Sequence, residues 1–405
     1  MSTGGESKDT SLETTSVRHI DGRRGRGLVA EVDFDPDSTI LCVQYDIAVL
    51  YSPFVRNTCY RCFESVPKVS KSHGQKRSSR RSPTRQSSKV ASKRTQPRQK
   101  QTHIANSEQK TGDEHYECNA CQNLVLCEDC VRDLVAVVQR QSASSGSPVA
   151  GEPCSPEERL RLLESHPLLQ VHKQACAWYC SLPETMRDGD TDYLRFALQY
   201  GARALLGDTS LLLSVEELCT NATQQSPESR EFCASFARRV VDTFAPQGFR
   251  VDADHLRDVL LRTKCNSIGY PFDDEQTLGW LLQEKLCMIN HSCDPNAAIV
   301  RPRQSTLTSS AGHSACSVEL IARRKIKAGE EITIAYIDVD SYGEDHQARR
   351  RHLLESYWFL CMCNRCETSA GTTAPSPSPP PPEAAHKKSS LAKNKNKRRK
   401  NGRQW

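Results

Sequence analysis

An α+β protein is predicted, because helical and strand patterns occupy separate stretches of the chain instead of alternating. Amphipathic 3.6-residue periodicity concentrates between Ser155 and Leu261, and short period-2 runs with turns fill Cys287 to Asp338. Three Cys-x-x-Cys pairs in the first third add metal-bound knuckles to that frame.

Taken in order, residues 1–18 carry no periodic pattern and are expected to be disordered. Arg23-Arg-Gly-Arg-Gly-Leu-Val-Ala-Glu-Val then reads as a glycine-rich start and a short strand, closed by the turn at Pro36-Asp37. From Lys68 to about Lys110 the chain is Ser, Arg, Lys and Gln with almost no large apolar residue, so it cannot build a core. A second low-complexity stretch covers Gln141 to Pro153. Helix begins at Ser155-Pro-Glu-Glu158, where Ser155 caps, Pro156 takes the first helical position and Glu158 completes a capping box. Helical patterns follow at Leu160–Leu163, Tyr193–Leu206, Glu228–Phe244 and Asp254–Leu261. The turn Ala328-Gly329 precedes the alternating run Ile332, Ile334, Tyr336, which reads as a strand. Pro375–Pro382 forms a spacer ahead of a basic tail.

At 405 residues the chain holds one large or two to three small domains. No run of eighteen apolar residues exists, so no transmembrane helix and no membrane partner is expected. The first residues, Met1-Ser-Thr-Gly-Gly-Glu-Ser-Lys, lack the apolar stretch of a secretory signal. Nineteen cysteines without such a signal point to zinc thiolates in a reducing compartment rather than to disulfides, and hence to nucleus or cytoplasm. The net charge of +6 conceals a division: residues 68–100 carry 12 Lys or Arg, and Lys387 to Arg403 carry 9, with no acid in either segment. Without those 21, 34 basic residues face 49 acidic ones, so the body is acidic, about −15. Such a body attracts a basic peptide by steering, although ordinary solubility charge explains it equally well. The basic segments give salt-dependent, sequence-independent attraction to nucleic acid, expected here as an auxiliary contact. Lys397-Arg-Arg-Lys400 equally fits a nuclear import signal.

The knuckles are Cys59-Tyr-Arg-Cys62, Cys118-Asn-Ala-Cys121 and Cys127-Glu-Asp-Cys130, followed by His172-Lys-Gln-Ala-Cys176 on a helix. Each turn places two ligands on one tetrahedral ion, so four units supply eight ligands for two zinc ions. His115, Cys154 and Cys180 stand close enough in sequence to be substitutes. A third group is Cys361-Met-Cys363-Asn-Arg-Cys366.

That last run, with Asn290-His-Ser-Cys-Asp-Pro-Asn296 and Gly329-Glu-Glu-Ile-Thr-Ile-Ala-Tyr336, resembles the catalytic signature of SET-domain lysine methyltransferases. The knuckles, inserted between the N-terminal strands and the later motifs, resemble a MYND finger, which places the chain beside the SET and MYND methyltransferases. The resemblance implies a SET β fold with a pseudoknot, split by the finger and a helical insert. It implies pairing of Cys59 and Cys62 with Cys127 and Cys130, of Cys118 and Cys121 with His172 and Cys176, and of Cys293 with Cys361, Cys363 and Cys366, about three zinc ions in all. It also implies S-adenosyl-L-methionine as cofactor, contacted by Arg24, Arg26, Gly27, Asn266, Asn290, His291, Tyr336, Tyr357 and Phe359, with Tyr336 orienting the reaction. The 55-residue gap between Cys62 and Cys118 is longer than the family's usual spacing, but loop closure cost grows only logarithmically.

The expected division is 1–18 disordered, 19–58 the first part of SET, 59–176 the finger with a basic insertion at 68–110, 177–265 a helical insert, 266–343 the catalytic core, 344–366 post-SET and 367–405 a disordered tail. The chain ends soon after post-SET, so the C-terminal helical-repeat domain of longer members is expected to be lacking. The function implied is methyl transfer to a lysine of a protein substrate, with histone tails or other basic proteins foremost, by a monomer. The rival reading is a non-catalytic adaptor that recruits chromatin partners through its finger; intact Tyr336, Asn290 and His291 speak against it.

Overall fold

The computed structural model describes residues 13–66, 115–143, 155–270, 277–302 and 317–368. The basic insertion, Cys154, the proline-rich spacer and the basic tail lie outside these residues.

Twelve short strands are described: β1 (Thr15–Asp21), β2 (Gly25–Ala30), β3 (Thr39–Val43), β4 (Ile47–Leu50), β5 (His115–Glu117), β6 (Val125–Cys127), β7 (Ile268–Tyr270), β8 (Gly279–Leu282), β9 (Asn290–His291), β10 (Ala297–Val300), β11 (Val318–Ala322) and β12 (Thr333–Ile334). The helices are α1 (Glu128–Ala143), α2 (Pro156–Ser165), α3 (Pro167–Ser181), α4 (Glu184–Arg187), α5 (Asp192–Leu205), α6 (Thr209–Glu216), α7 (Pro227–Phe244), α8 (Ala253–Asn266), α9 (His346–Tyr357) and α10 (Asn364–Thr368). Helices and strands segregate along the chain, so the α+β class holds.

The strands form small sheets in which early and late chain segments alternate. β3 joins β10 and β11 in the order β10-β11-β3, and β8 lies between β4 and β7. β2 is laced to the later turn by backbone bonds, from Ala30 N to Glu330 O (3.0 Å) and from Ile332 N to Leu28 O (2.8 Å). The first fifty residues and the last third of the chain are therefore one unit, completed around the inserted finger and helices. Its core is continuous: Leu28, Ile47, Leu50, Phe63, Leu126, Trp178, Phe196, Phe236 and Tyr270 belong to one buried cluster. A smaller cluster of Cys293, Ile337, Val339, Leu353, Cys361 and Cys366 sits apart, at the α9–α10 end.

Several local readings hold to the residue. Ser155 Oγ accepts from Glu158 N at 3.2 Å and caps α2, with Pro156 opening the helix. α5 and α7 fall within one residue of the expected bounds, whereas α8 runs on to Asn266. Other readings are corrected. Order starts before residue 18, because β1 pairs with β2 from Thr15 opposite Ala30. Helix α1 was hidden, since its start coincides with the Cys127–Cys130 knuckle and its end enters the stretch read as low-complexity. The strand at 332–336 shrinks to Thr333–Ile334. Cys42 is disulfide-bonded, an exception to the thiolate reading of the cysteines.

Candidate active site and metal centres

Asn290-His291 forms β9 and pairs in parallel with Thr333-Ile334 of β12, so the two distant motifs lie edge to edge. Asn296 locks this junction. Its amide donates to Glu331 O (2.8 Å) and Glu330 Oε1 (3.0 Å), and its carbonyl accepts from Thr333 N (2.8 Å). Buried at 1% exposure, it is a positioning residue that the sequence reading passed over.

The Asn290 side chain donates to Arg26 O (3.0 Å) and to Glu331 Oε1 (2.8 Å). Glu331 also pairs with the Arg24 guanidinium, which in turn bonds Asp21. The glycine-rich turn is thereby pinned to the Asn290 segment. A Cβ on Gly27 would stand 2.9 Å from Asn290 Nδ2 and 2.8 Å from Glu331 Oε1, so the close approach that this glycine permits is to those side chains. The Arg26 side chain pairs with Glu217 at 2.9 Å. Glu331 is the hub between Arg24 and Asn290. No sequence pattern announces this, because its partners are 41 and 307 residues away.

His291 is buried, and its imidazole Nδ1 accepts from Tyr336 N at 2.9 Å. The proton therefore sits on Nε2, which lies 3.3 Å from Cys293 Sγ and donates toward it. Burial pushes this imidazole down to about 4, so it is neutral near pH 7. Both ring nitrogens are thus engaged within the protein, and the His291 ring ties the Tyr336 backbone to Cys293.

The Tyr336 hydroxyl donates to Ile289 O at 2.5 Å, and burial raises its pKa well above the ordinary phenol value, so it stays protonated. Tyr357 Oη donates to Tyr336 O at 2.9 Å. The Tyr336 ring lies 5.2 Å from that of Tyr357 and 6.2 Å from that of Phe359, and Phe359 is 5.9 Å from His291. The last aromatics thus meet the central tyrosine across the end of α9. Asn266 ends α8, with its amide on Cys219 O (3.0 Å) and Arg262 O (2.7 Å). Its own carbonyl accepts from Cys287 Sγ (3.4 Å), which brings it to the segment leading into β9.

The cysteines gather as the resemblance implied. Cys59, Cys62, Cys127 and Cys130 converge, as do Cys118, Cys121, His172 and Cys176, and Cys293, Cys361, Cys363 and Cys366; within each set the ligand atoms lie within 4.8 Å of one another. Tetrahedral zinc with Zn–S of ~2.3 Å sets sulfurs about 3.8 Å apart. The observed separations match: Cys62–Cys127 and Cys118–Cys121 3.6 Å, Cys118–Cys176 3.7 Å, Cys293–Cys361 3.9 Å and Cys293–Cys366 3.6 Å. Donor type, number and spacing all fit zinc. Cys180 lies 3.8 Å from Cys176 but outside the convergent four, and His115 faces Cys127 across the β5–β6 pair without joining the first set.

The family model of the SET domain matches residues 25–337. The chain is 31% identical over 120 residues to the SET domain and MYND-type zinc finger protein 6 of Schizosaccharomyces pombe, covering 30% of this chain and 22% of the relative. It is 35% identical over 113 residues to the histone-lysine N-methyltransferase SMYD3 of Mus musculus, 28% of this chain and 23% of the relative. With the N-lysine methyltransferase SMYD2-A of Xenopus laevis it shares 26% over 202 residues, 49% and 43% of the two chains. The chain thus spans less than half the length of these relatives. The family match, however, runs from the glycine-rich turn to just past Tyr336, over most of the chain and across both inserted regions. The chain belongs to the SET-domain family.

Proposed function

We propose that the chain is a protein-lysine N-methyltransferase that uses S-adenosyl-L-methionine. The observation that carries this reading is the convergence of Asn290, His291, Gly27, Tyr336, Tyr357 and Phe359 on one junction, formed by two motifs that the sequence separates by about forty residues. Names of the relatives point the same way, with two called histone-lysine or N-lysine methyltransferases.

When bound, the cofactor supplies a methyl group on a cationic sulfonium. The protein must then align a neutral lysine amine with it and exclude water. A lysine amine near pKa 10.4 sheds its proton more readily in an apolar site beside a positive charge. Tyr336, Tyr357 and Phe359 provide such a surface, and aromatic faces hold cations well. The nearby carboxylate, Glu331, is already committed to Arg24 and Asn290, so it serves as a strut. Tyr336 contributes a fixed phenol, held by Ile289 O and by the backbone bond to His291, and most of the acceleration comes from orientation.

The substrate class favoured is a basic protein segment, including a histone tail, because the body of the chain is acidic. Contact with nucleic acid is assigned an auxiliary role, and location to nucleus or cytoplasm. Transfer of labelled methyl groups from S-adenosylmethionine to mixed histones and to cell extract tests the reading, with Tyr336→Phe as control. Transfer that is lost in the variant supports it. Cofactor binding without any transfer by the wild type favours the adaptor instead.

A further inference from the structure

Arg349, on α9, is fully buried, at 0% exposure, and belongs to no ion pair with a carboxylate among the described residues. Its Nη1 donates to Gly343 O at 2.6 Å. Its Nε and Nη2 are buried and have no hydrogen-bond partner. A buried guanidinium is strongly unfavourable unless a counter-charge compensates it, so this arrangement needs an anion. Leu353, one turn further along α9, packs with Cys293, Cys361 and Cys366 in one buried cluster, and the Cys366 and Cys293 thiols are the groups that interact with the Arg349 charge.

Four cysteines that bind a divalent zinc do so as thiolates, and the assembly then carries a net charge of −2 inside the protein. The neighbouring arginines do not compensate it in the same way: Arg350 Nε bonds Cys361 O (2.9 Å), and Arg365 Nη1 bonds Cys293 O (3.2 Å). We propose that Arg349 is the resident counter-cation of the Cys293–Cys361–Cys363–Cys366 zinc centre, donating from Nε and Nη2 to the thiolates of that centre. Each charge explains the other. The guanidinium has no carboxylate because a tetrathiolate metal centre is its anion, and the centre tolerates burial because a cation stands against it. The thiol protons leave to solvent on metal binding, so the arginine's charge is unchanged throughout. Because Cys293 also receives the His291 Nε2 proton donor, the cation, the metal centre and the Tyr336 backbone form one connected unit. Arg349 is a positioning residue, acting through the metal.

The test counts metal, so its outcome does not depend on whether the chain transfers methyl groups. The full chain is purified as wild type, Arg349→Met and Arg349→Lys; zinc is measured by mass spectrometry and its release by a colorimetric chelator under native conditions. The wild type is expected to hold three zinc ions. Arg349→Met is expected to hold two, with the finger ions released at wild-type rate. Arg349→Lys is expected to regain the third, released at least ~10-fold faster than in the wild type, the scale on which residues behind a metal ligand act. A Met variant that keeps the third zinc at wild-type release rate overturns the proposal, as does a Lys variant no better than Met. If Arg349→Met does not fold, Arg349→Gln, which keeps a donor but no charge, takes its place against Lys under the same two criteria.

Discussion

Tyr336 shows how much of the site one side chain carries. Its hydroxyl bonds Ile289 O, its backbone N–H fixes the His291 ring, and its ring meets Tyr357 and Phe359. Tyr336→Phe removes only the first of these. It should cost about 1 kcal/mol of stability in urea denaturation, yet lower methyl transfer by roughly two orders of magnitude in the labelled assay. Gly27 makes the complementary case, because the Cβ of Gly27→Ala would collide with Asn290 and Glu331. Cofactor affinity, measured by calorimetry, should fall about tenfold or more while the helical circular dichroism stays at wild type. Asp46 makes a case in pH. Burial raises its carboxyl to about 6, although Glu284 N donates to it at 2.6 Å. A folded-state pKa above the unfolded value of 3.8 means stability that is complete below that value and lost as pH rises through 6. Asp46→Asn should therefore raise the urea midpoint at pH 8, by about 1 kcal/mol in free energy, and leave it unchanged near pH 4.

Elements differ in how openly their sequences declare them. Helix α2 is declared by its own first residues, and Ser155→Ala should cost about 1 kcal/mol of stability in urea denaturation through loss of the cap to Glu158 N. β8 depends on a neighbour: a Cβ at Gly279 would lie 2.2 Å from Val49 O and 2.9 Å from Leu50 Cα, which are backbone atoms of β4. Gly279→Ala should part that pair and cost about 3 kcal/mol, read as a lower melting temperature. Helix α1 escaped detection for an opposite reason, since its first turn does double duty as a metal knuckle. β9 and β12 are two residues each, too short for any period to register; the parallel register with Asn290 opposite Thr333 makes them strands. Motif spacing marked the residues, but their pairing was legible only through the family resemblance.

At the scale of the whole molecule, the finger and the SET strands share one core, with Cys59, Cys118, Leu126 and Leu134 in the same buried cluster as Ile47, Leu281 and Leu320. Metal removal should therefore destabilise more than the finger. Chelation of all zinc should lower the melting temperature of the entire chain in one cooperative transition, whereas independent melting of an intact SET unit would contradict a shared core. The α+β class, the helix caps and the ligand types could be read from the chain because each depends on residues within a turn or two of one another. The four-by-four grouping of the cysteines came from resemblance, and the sulfur separations near 3.8 Å then gave it physical substance. Folding alone decided the rest: Glu331 as the hub between Arg24 and Asn290, Asn296 as the lock of the junction, and Arg349 buried beside the cysteine cluster. These contacts join residues tens to hundreds of positions apart, and the choice among a charged residue's many possible partners is made by burial and distance. Asn290-His291-Ser292-Cys293 marks the divide: its composition announced a site, and only the tertiary structure turned His291 into the link between the Tyr336 backbone and the metal centre, since a buried ring must find partners for both nitrogens.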